Sequence, residues 1–175
     1  AVQGFLDSLR PELDHQDSKI HVCMVQLPAL NTPQFEWART KMGRKPRPVG
    51  KIYQPEVAAR AIRFAAYSRR KEDWVVSTTM QGIVGDESAS FLLDEYLAET
   101  GIEGQSAKTP VSPERKDNLF EPVPGDFAAH GRFDDVAHET STQMWLNRNR
   151  GAVAASVAAA AAAGIGFMLS RRKED

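Results

Sequence analysis

The chain has 175 residues, 42% of them apolar and 26% charged, with a formal net charge of -1. That length suits one ordinary domain, and the composition excludes collagen-like, mucin-like and fully disordered chains. Near-neutral charge argues against a nucleic-acid binder, and one cysteine with no zinc-type spacing excludes disulfide and zinc-site chemistry.

Val2, Phe5, Leu6, Leu9 and Leu13 recur at helical spacing and predict an amphipathic helix over 2–13, with Pro11 kinking or ending its last turn. A helix that starts at full strength without a cap predicts a fragment or a processed chain. Residues 20–27 are mostly apolar and rich in β-branched side chains, the pattern of a strand buried on both faces. The turn-rich segment Pro28-Ala29-Leu30-Asn31-Thr32-Pro33 follows directly. After a connection over 34–53 with one short helix around Phe35 to Lys41, Pro55 marks a helix first turn. Val57, Ala58, Ala61, Ile62 and Ala65 supply its buried stripe. Trp74 to Thr78 is the next strand candidate, and 82–100 a further helix ending at Gly101. Helix, strand, helix, strand, helix is the order of an α/β fold with parallel strands.

Three regions follow from this pattern: an α/β unit over 1–100, a Pro/Gly-rich extended arm or linker over 101–142, and an apolar tail helix over 143–175. Residues 151–170 carry no charge, and twenty helical residues span about 30 Å, so this segment is a candidate membrane anchor. The competing reading is an Ala-rich helix packed on the protein or left as a tail. Trp145 is either a packing residue or an interface residue beside that anchor.

In an open α/β sheet, ligands bind outside the carboxyl ends of the strands, where Pro28–Pro33 stands. Its main-chain groups and the Thr32 hydroxyl suit an amide-bearing ligand; the alternative is an ordinary strand-to-helix loop.

Several segments resemble the short-chain dehydrogenase/reductase family. Gly4-Phe5-Leu6-Asp7-Ser8-Leu9-Arg10 with Glu12-Leu13 is similar to the helix after that family's Tyr-x-x-x-Lys motif. Val22 to Leu27 with the Pro28–Pro33 loop resembles its sixth strand and the Pro-Gly-x-x-x-Thr loop, with Ala29 where glycine is usual and one residue fewer. Pro55 to Ile62 is similar to the helix before its last strand. The resemblance implies the C-terminal part of a Rossmann-type doubly wound parallel sheet. It implies an oxidoreductase moving a hydride between NAD or NADP and a small-molecule alcohol or carbonyl substrate. Pro28, Ala29, Leu30 and Thr32 would be its cofactor-binding residues, and helix 2–13 a surface for pairing with a second copy. The catalytic Ser, Tyr and Lys would lie upstream of Ala1, so no catalytic residue is expected in this chain, and the chain alone would be inactive. Tyr53, Tyr67 and Tyr96 are not substitutes, since none is followed by lysine four residues later. NAD(P) dependence with the anchor would make the protein membrane-associated, its folded part cytoplasmic. The alternative is a non-catalytic, membrane-anchored binding or scaffold module of the same fold.

Arg39, Lys41, Arg44, Lys45, Arg47 and Lys51 form a basic stretch with no acid among them, in a position that often forms a mobile lid in this family. It is read as a solvated basic loop or as an attractor of anionic substrate, cofactor phosphate or acidic lipid. His130 and His138 are expected to be solvated, and Cys23 to be buried in its strand. No metal ligand set is predicted.

Overall fold

The computed structural model of the chain describes residues 2–76, 90–91 and 94–171, with 166–170 described in backbone alone. Helix α1 (Val2–His15) runs through Pro11 rather than ending at it. The proline removes one backbone bond, and the helix continues for four further residues. It then closes with Ser18 donating to the Leu13 carbonyl at 2.9 Å and Asp17 donating to the Asp14 carbonyl at 3.1 Å. Asp17 sits at φ 50°, the left-handed turn in which a short polar side chain replaces the usual glycine. Arg10 fastens α1 to the strands beneath, donating to the carbonyls of Val22 and Lys71 while pairing with Asp7 at 2.8 Å.

Strand β1 (Met24–Gln26) is shorter than the predicted 20–27, and all three of its residues are half-buried rather than fully enclosed. It pairs, among the described residues, with a single parallel neighbour, β5 (Glu72–Trp74), in the register Met24↔Glu72 to Gln26↔Trp74. One edge of β1 is therefore uncovered there, and Ile20 and His21 stay exposed. The ladder continues past β5, with the Val75 amide donating to the Gln26 carbonyl at 3.2 Å. Positions 77 and 78 of the predicted strand lie outside the described residues.

A second parallel pair joins β2 (Ala29–Leu30) to β4 (Ile52–Tyr53). An antiparallel pair joins β3 (Arg44–Pro46) to β6 (Ser106–Pro110). Between β2 and β3 lies α2 (Gln34–Trp37), one turn long and shorter than predicted. Helix α3 (Pro55–Tyr67) starts with Pro55 in its first turn and buries Val57, Ala58, Ala61 and Ala65. Ile62, predicted in that stripe, is 51% exposed, and Phe64 packs on the core instead. Residue 62 lies one helical step, about 100°, from Ala61, which turns it off the buried face. Of the helix predicted over 82–100, residues 82–89, 92 and 93 lie outside the described residues; α4 (94–104) passes Gly101 by one turn.

The core joins distant parts of the chain. Val57 and Ala61 of α3, Val75 and Val76 after β5, and Met144 of α5 (Thr142–Arg148) form one buried cluster. Ser141 caps α5 by accepting the Met144 amide at 3.1 Å, and its hydroxyl donates to the Val75 carbonyl. Asn147 donates to the Trp74 carbonyl, and Arg70 bridges the Asn147 carbonyl to the buried Asp73.

The stretch 101–142, predicted as an extended arm or linker, is fastened along its length. Arg115 donates to the carbonyls of Phe35 and Ala38, Phe127 meets Trp37 edge-on at 4.5 Å, and Phe133 meets Phe35 at 5.7 Å. Helix α6 (Arg150–Arg171) follows as 22 residues, directly after α5. Among the described residues no helix is long and apolar enough to cross a membrane, so the predicted span at 151–170 finds no support there. The side chains of the more apolar run 166–170 lie outside the described residues.

Candidate functional site: a loop clasped by the arm

The Pro28–Pro33 segment leaves the carboxyl end of β1, as its sequence position requires. Two backbone bonds shape it: Thr32 donates to the Leu30 carbonyl at 3.0 Å, and Asn31 donates to the Tyr53 carbonyl at 2.8 Å. Asn31 and Pro33 are buried, while Pro28, Ala29, Leu30 and Thr32 are half-buried. The structure thus brings the four predicted residues onto one loop, Ala29 and Leu30 within β2 and Thr32 at its exit. Among the described residues the Thr32 hydroxyl forms no hydrogen bond. A half-buried hydroxyl beside a main-chain carbonyl fits the donor and acceptor pattern of a carboxamide.

The arm lies across this loop. The Gly131 amide donates to the Asn31 carbonyl at 3.2 Å. A side chain at residue 131 would put its Cβ 2.6 Å from the Thr32 carbonyl oxygen and 3.0 Å from Asn31 Oδ1, so only glycine allows this approach. Asn31, with none of its surface exposed, uses both ends of its amide. Its Nδ2 donates to Asp134 at 2.8 Å and to Gln54 at 3.0 Å, and its Oδ1 accepts the Phe133 amide at 2.9 Å. Gln54 also donates to Asp134, at 2.9 Å. The backbone of His138 completes the closure, donating to the Ile52 carbonyl and accepting from Gln54.

His130 is the outer bolt. Its Nε2 lies 2.8 Å from Glu56 and its Nδ1 3.0 Å from Asp134. Each ring nitrogen faces a carboxylate acceptor, and only the imidazolium donates from both. Hydrogen bonds to Glu56 and then Asp134 accordingly raise the His130 pKa. The same contact holds the Glu56 carboxyl below its ordinary value, and Gln54 followed by His130 does so for Asp134. The expectation of a merely solvated His130 is therefore corrected. His138 keeps an exposed ring, which lies against Tyr53 at 5.4 Å.

Sequence reasoning missed Asn31, Gln54, Glu56 and Asp134 as a group. One local signal existed: an Asn between two prolines, in a segment otherwise short of donors. Nothing in the sequence joined residue 31 to residue 134. Cys23 is half-buried, not buried; burial first, and the Asp73 carboxylate second, push its thiol pKa up. The basic stretch is partly neutralised, Arg39 by Asp117 at 3.7 Å and Arg44 by Glu103 at 2.5 Å, and its β3 strand is paired to β6. Among the described residues, no three His, Cys, Asp or Glu side chains converge as a metal site.

Over 122 residues the chain is 25% identical to an uncharacterized oxidoreductase, YxnA, of Bacillus subtilis (strain 168). The match covers 69% of this chain and 34% of that protein, so it spans about a third of the relative's length. No family description matches the chain, and no solved structure does.

Proposed function

We propose that this chain is the C-terminal part of an NAD(P)-dependent oxidoreductase of the short-chain dehydrogenase/reductase type. The observation that carries the reading is the Pro28–Pro33 loop at the carboxyl end of the parallel β1, with the free Thr32 hydroxyl on it. The likeness to an oxidoreductase over two thirds of the chain supports it. In this reading β1 and β5 are the last strands of a Rossmann-type sheet, whose other strands precede Ala1.

Pro28 and Ala29 shape the loop, and Thr32 with the Leu30 backbone holds the carboxamide of the nicotinamide. The Leu30 carbonyl accepts the Thr32 amide and keeps a second lone pair for the ligand. When bound, NAD or NADP supplies hydride transfer to or from an alcohol or carbonyl carbon. The chain's own part is to bind and orient, with the arm holding the loop in one conformation through Asn31. Pairing of two copies through α1 belongs to the same reading. Val2 and Phe5 are 67% and 64% exposed there, and Leu6, Leu9 and Leu13 are half-buried. Sedimentation that stays monomeric across a wide concentration range would remove the pairing.

The test is to read the coding sequence immediately upstream of Ala1. The expected result is a Tyr-x-x-x-Lys motif ending about two residues earlier, with a glycine-rich strand–turn–helix further up. Its absence overturns the proposal. In the protein carrying that segment, Thr32→Val should weaken cofactor binding by about 0.5–1.5 kcal/mol, the net value of one hydrogen bond.

A further inference from the structure

Beside the clasp, and lined by none of Pro28, Ala29, Leu30 or Thr32, lies a cleft of about 480 Å³ between α3, α5 and residues 139–141. That volume is within the range of small-molecule sites. Its floor includes the buried Val57 and Met144. Trp145 lines it while remaining 60% exposed, a large aromatic surface that the core does not use. Two guanidinium groups line it as well. Arg60 donates one N–H to the Glu139 carbonyl, which leaves the rest of its fork free. Arg148 forms no hydrogen bond or ion pair among the described residues. Of the lining carboxylates, Glu56 is bonded to His130 and lies in the field of Arg60, and Glu139 is the other, so Arg148 is the lining cation with no partner among the described residues.

An apolar floor, an exposed indole and an unpaired guanidinium at the end of α5 define a receptor for one class of molecule. We propose that this cleft binds a small amphipathic monocarboxylate, its apolar body against Val57, Met144 and Trp145 and its carboxylate on Arg148 and Arg60. The inference does not depend on the oxidoreductase reading, since it uses no residue of the cofactor loop.

Naphthalene-1-acetate is a suitable probe, titrated into the full chain by calorimetry, with the neutral naphthalene-1-acetamide as its partner. Saturable one-site binding is expected, weakened about tenfold both by Arg148→Gln and by replacing the acid with the amide, the ratio expected for a charge-assisted hydrogen bond. Arg148 is exposed near the end of α5, and an unchanged circular dichroism spectrum of the variant confirms its fold. Absence of saturable binding to millimolar concentration would overturn the proposal. So would equal affinity in wild type and Arg148→Gln, or amide binding as tight as the acid.

Discussion

Asn31→Ala isolates the contribution of the clasp. The substitution removes the donor to Asp134 and Gln54 and the acceptor of the Phe133 amide, in a side chain with no exposed surface. A buried group left without its partner costs about 1–3 kcal/mol. The Phe133 amide and the Gln54 oxygen are the two groups orphaned at the buried end, whereas the half-open Asp134 still has Gln54 and His130. The expected loss is therefore about 2–4 kcal/mol. With an m-value of about 2 kcal/mol/M in urea, the unfolding midpoint falls by about 1–2 M. Urea unfolding followed by tryptophan fluorescence measures this, and limited proteolysis should show earlier cleavage between residues 126 and 141. A midpoint shift below about 0.25 M, which is about 0.5 kcal/mol, would refute the view that Asn31 fastens the arm.

The clasp also predicts a pH dependence. The folded-state pKa of His130 is raised, so its contribution is fully present below the ordinary histidine value and is lost as pH rises through the folded value. Glu56 and Asp134 are lowered, so their contributions are present above the ordinary carboxylate range and vanish as pH falls through their folded values. Clasp stability should peak between the two ranges, and His130→Gln should flatten the alkaline limb; an identical pH profile in the variant would count against the pairing. Met144→Ala, by opening a cavity in the core cluster, should cost about 2–5 kcal/mol in denaturant unfolding. Gly131→Ala forces a Cβ against the Thr32 carbonyl and should destabilise by about 1–3 kcal/mol, whereas the uncrowded Gly4→Ala control inside α1 should not destabilise and should gain up to about 1 kcal/mol of helix propensity. Removing residues after Asn149 should change thermal unfolding little, because side chains 151–165 are exposed except for the half-buried Val153.

Much of the scaffold was legible in the residues. The apolar spacing of Val2 to Leu13 predicted α1, Pro55 with Val57, Ala61 and Ala65 predicted α3, and the β-branched run before Pro28 located β1 and its loop. These signals are local, since a helical stripe or a proline restricts the backbone within a few residues of itself. Lengths were less legible. Strand β1 is three of the eight predicted residues because a strand extends only as far as a neighbour pairs with it, and that neighbour is near residue 72. The anchor expectation at 151–170 finds no support among the described residues, where no helix is long and apolar enough to cross a membrane.

The clasp is the part that local reasoning does not reach. Asn31, Gln54, Glu56, His130 and Asp134 are common surface residue types, and nothing in their local sequence marks them as one group. What makes them a network is that the chain between residues 110 and 141, poor in periodic pattern, returns over the β2–β4 edge and delivers Gly131 and Asp134 to Asn31. Composition, helix faces and the position of the loop were determined by the sequence, because backbone preference and apolar periodicity act over single turns. The tertiary structure alone decided that Met144 completes the core, that His130 is held between two carboxylates, and that Arg148 and Trp145 share a cleft. Those outcomes depend on contacts across roughly a hundred residues of chain, which are set by which surfaces meet once the elements pack.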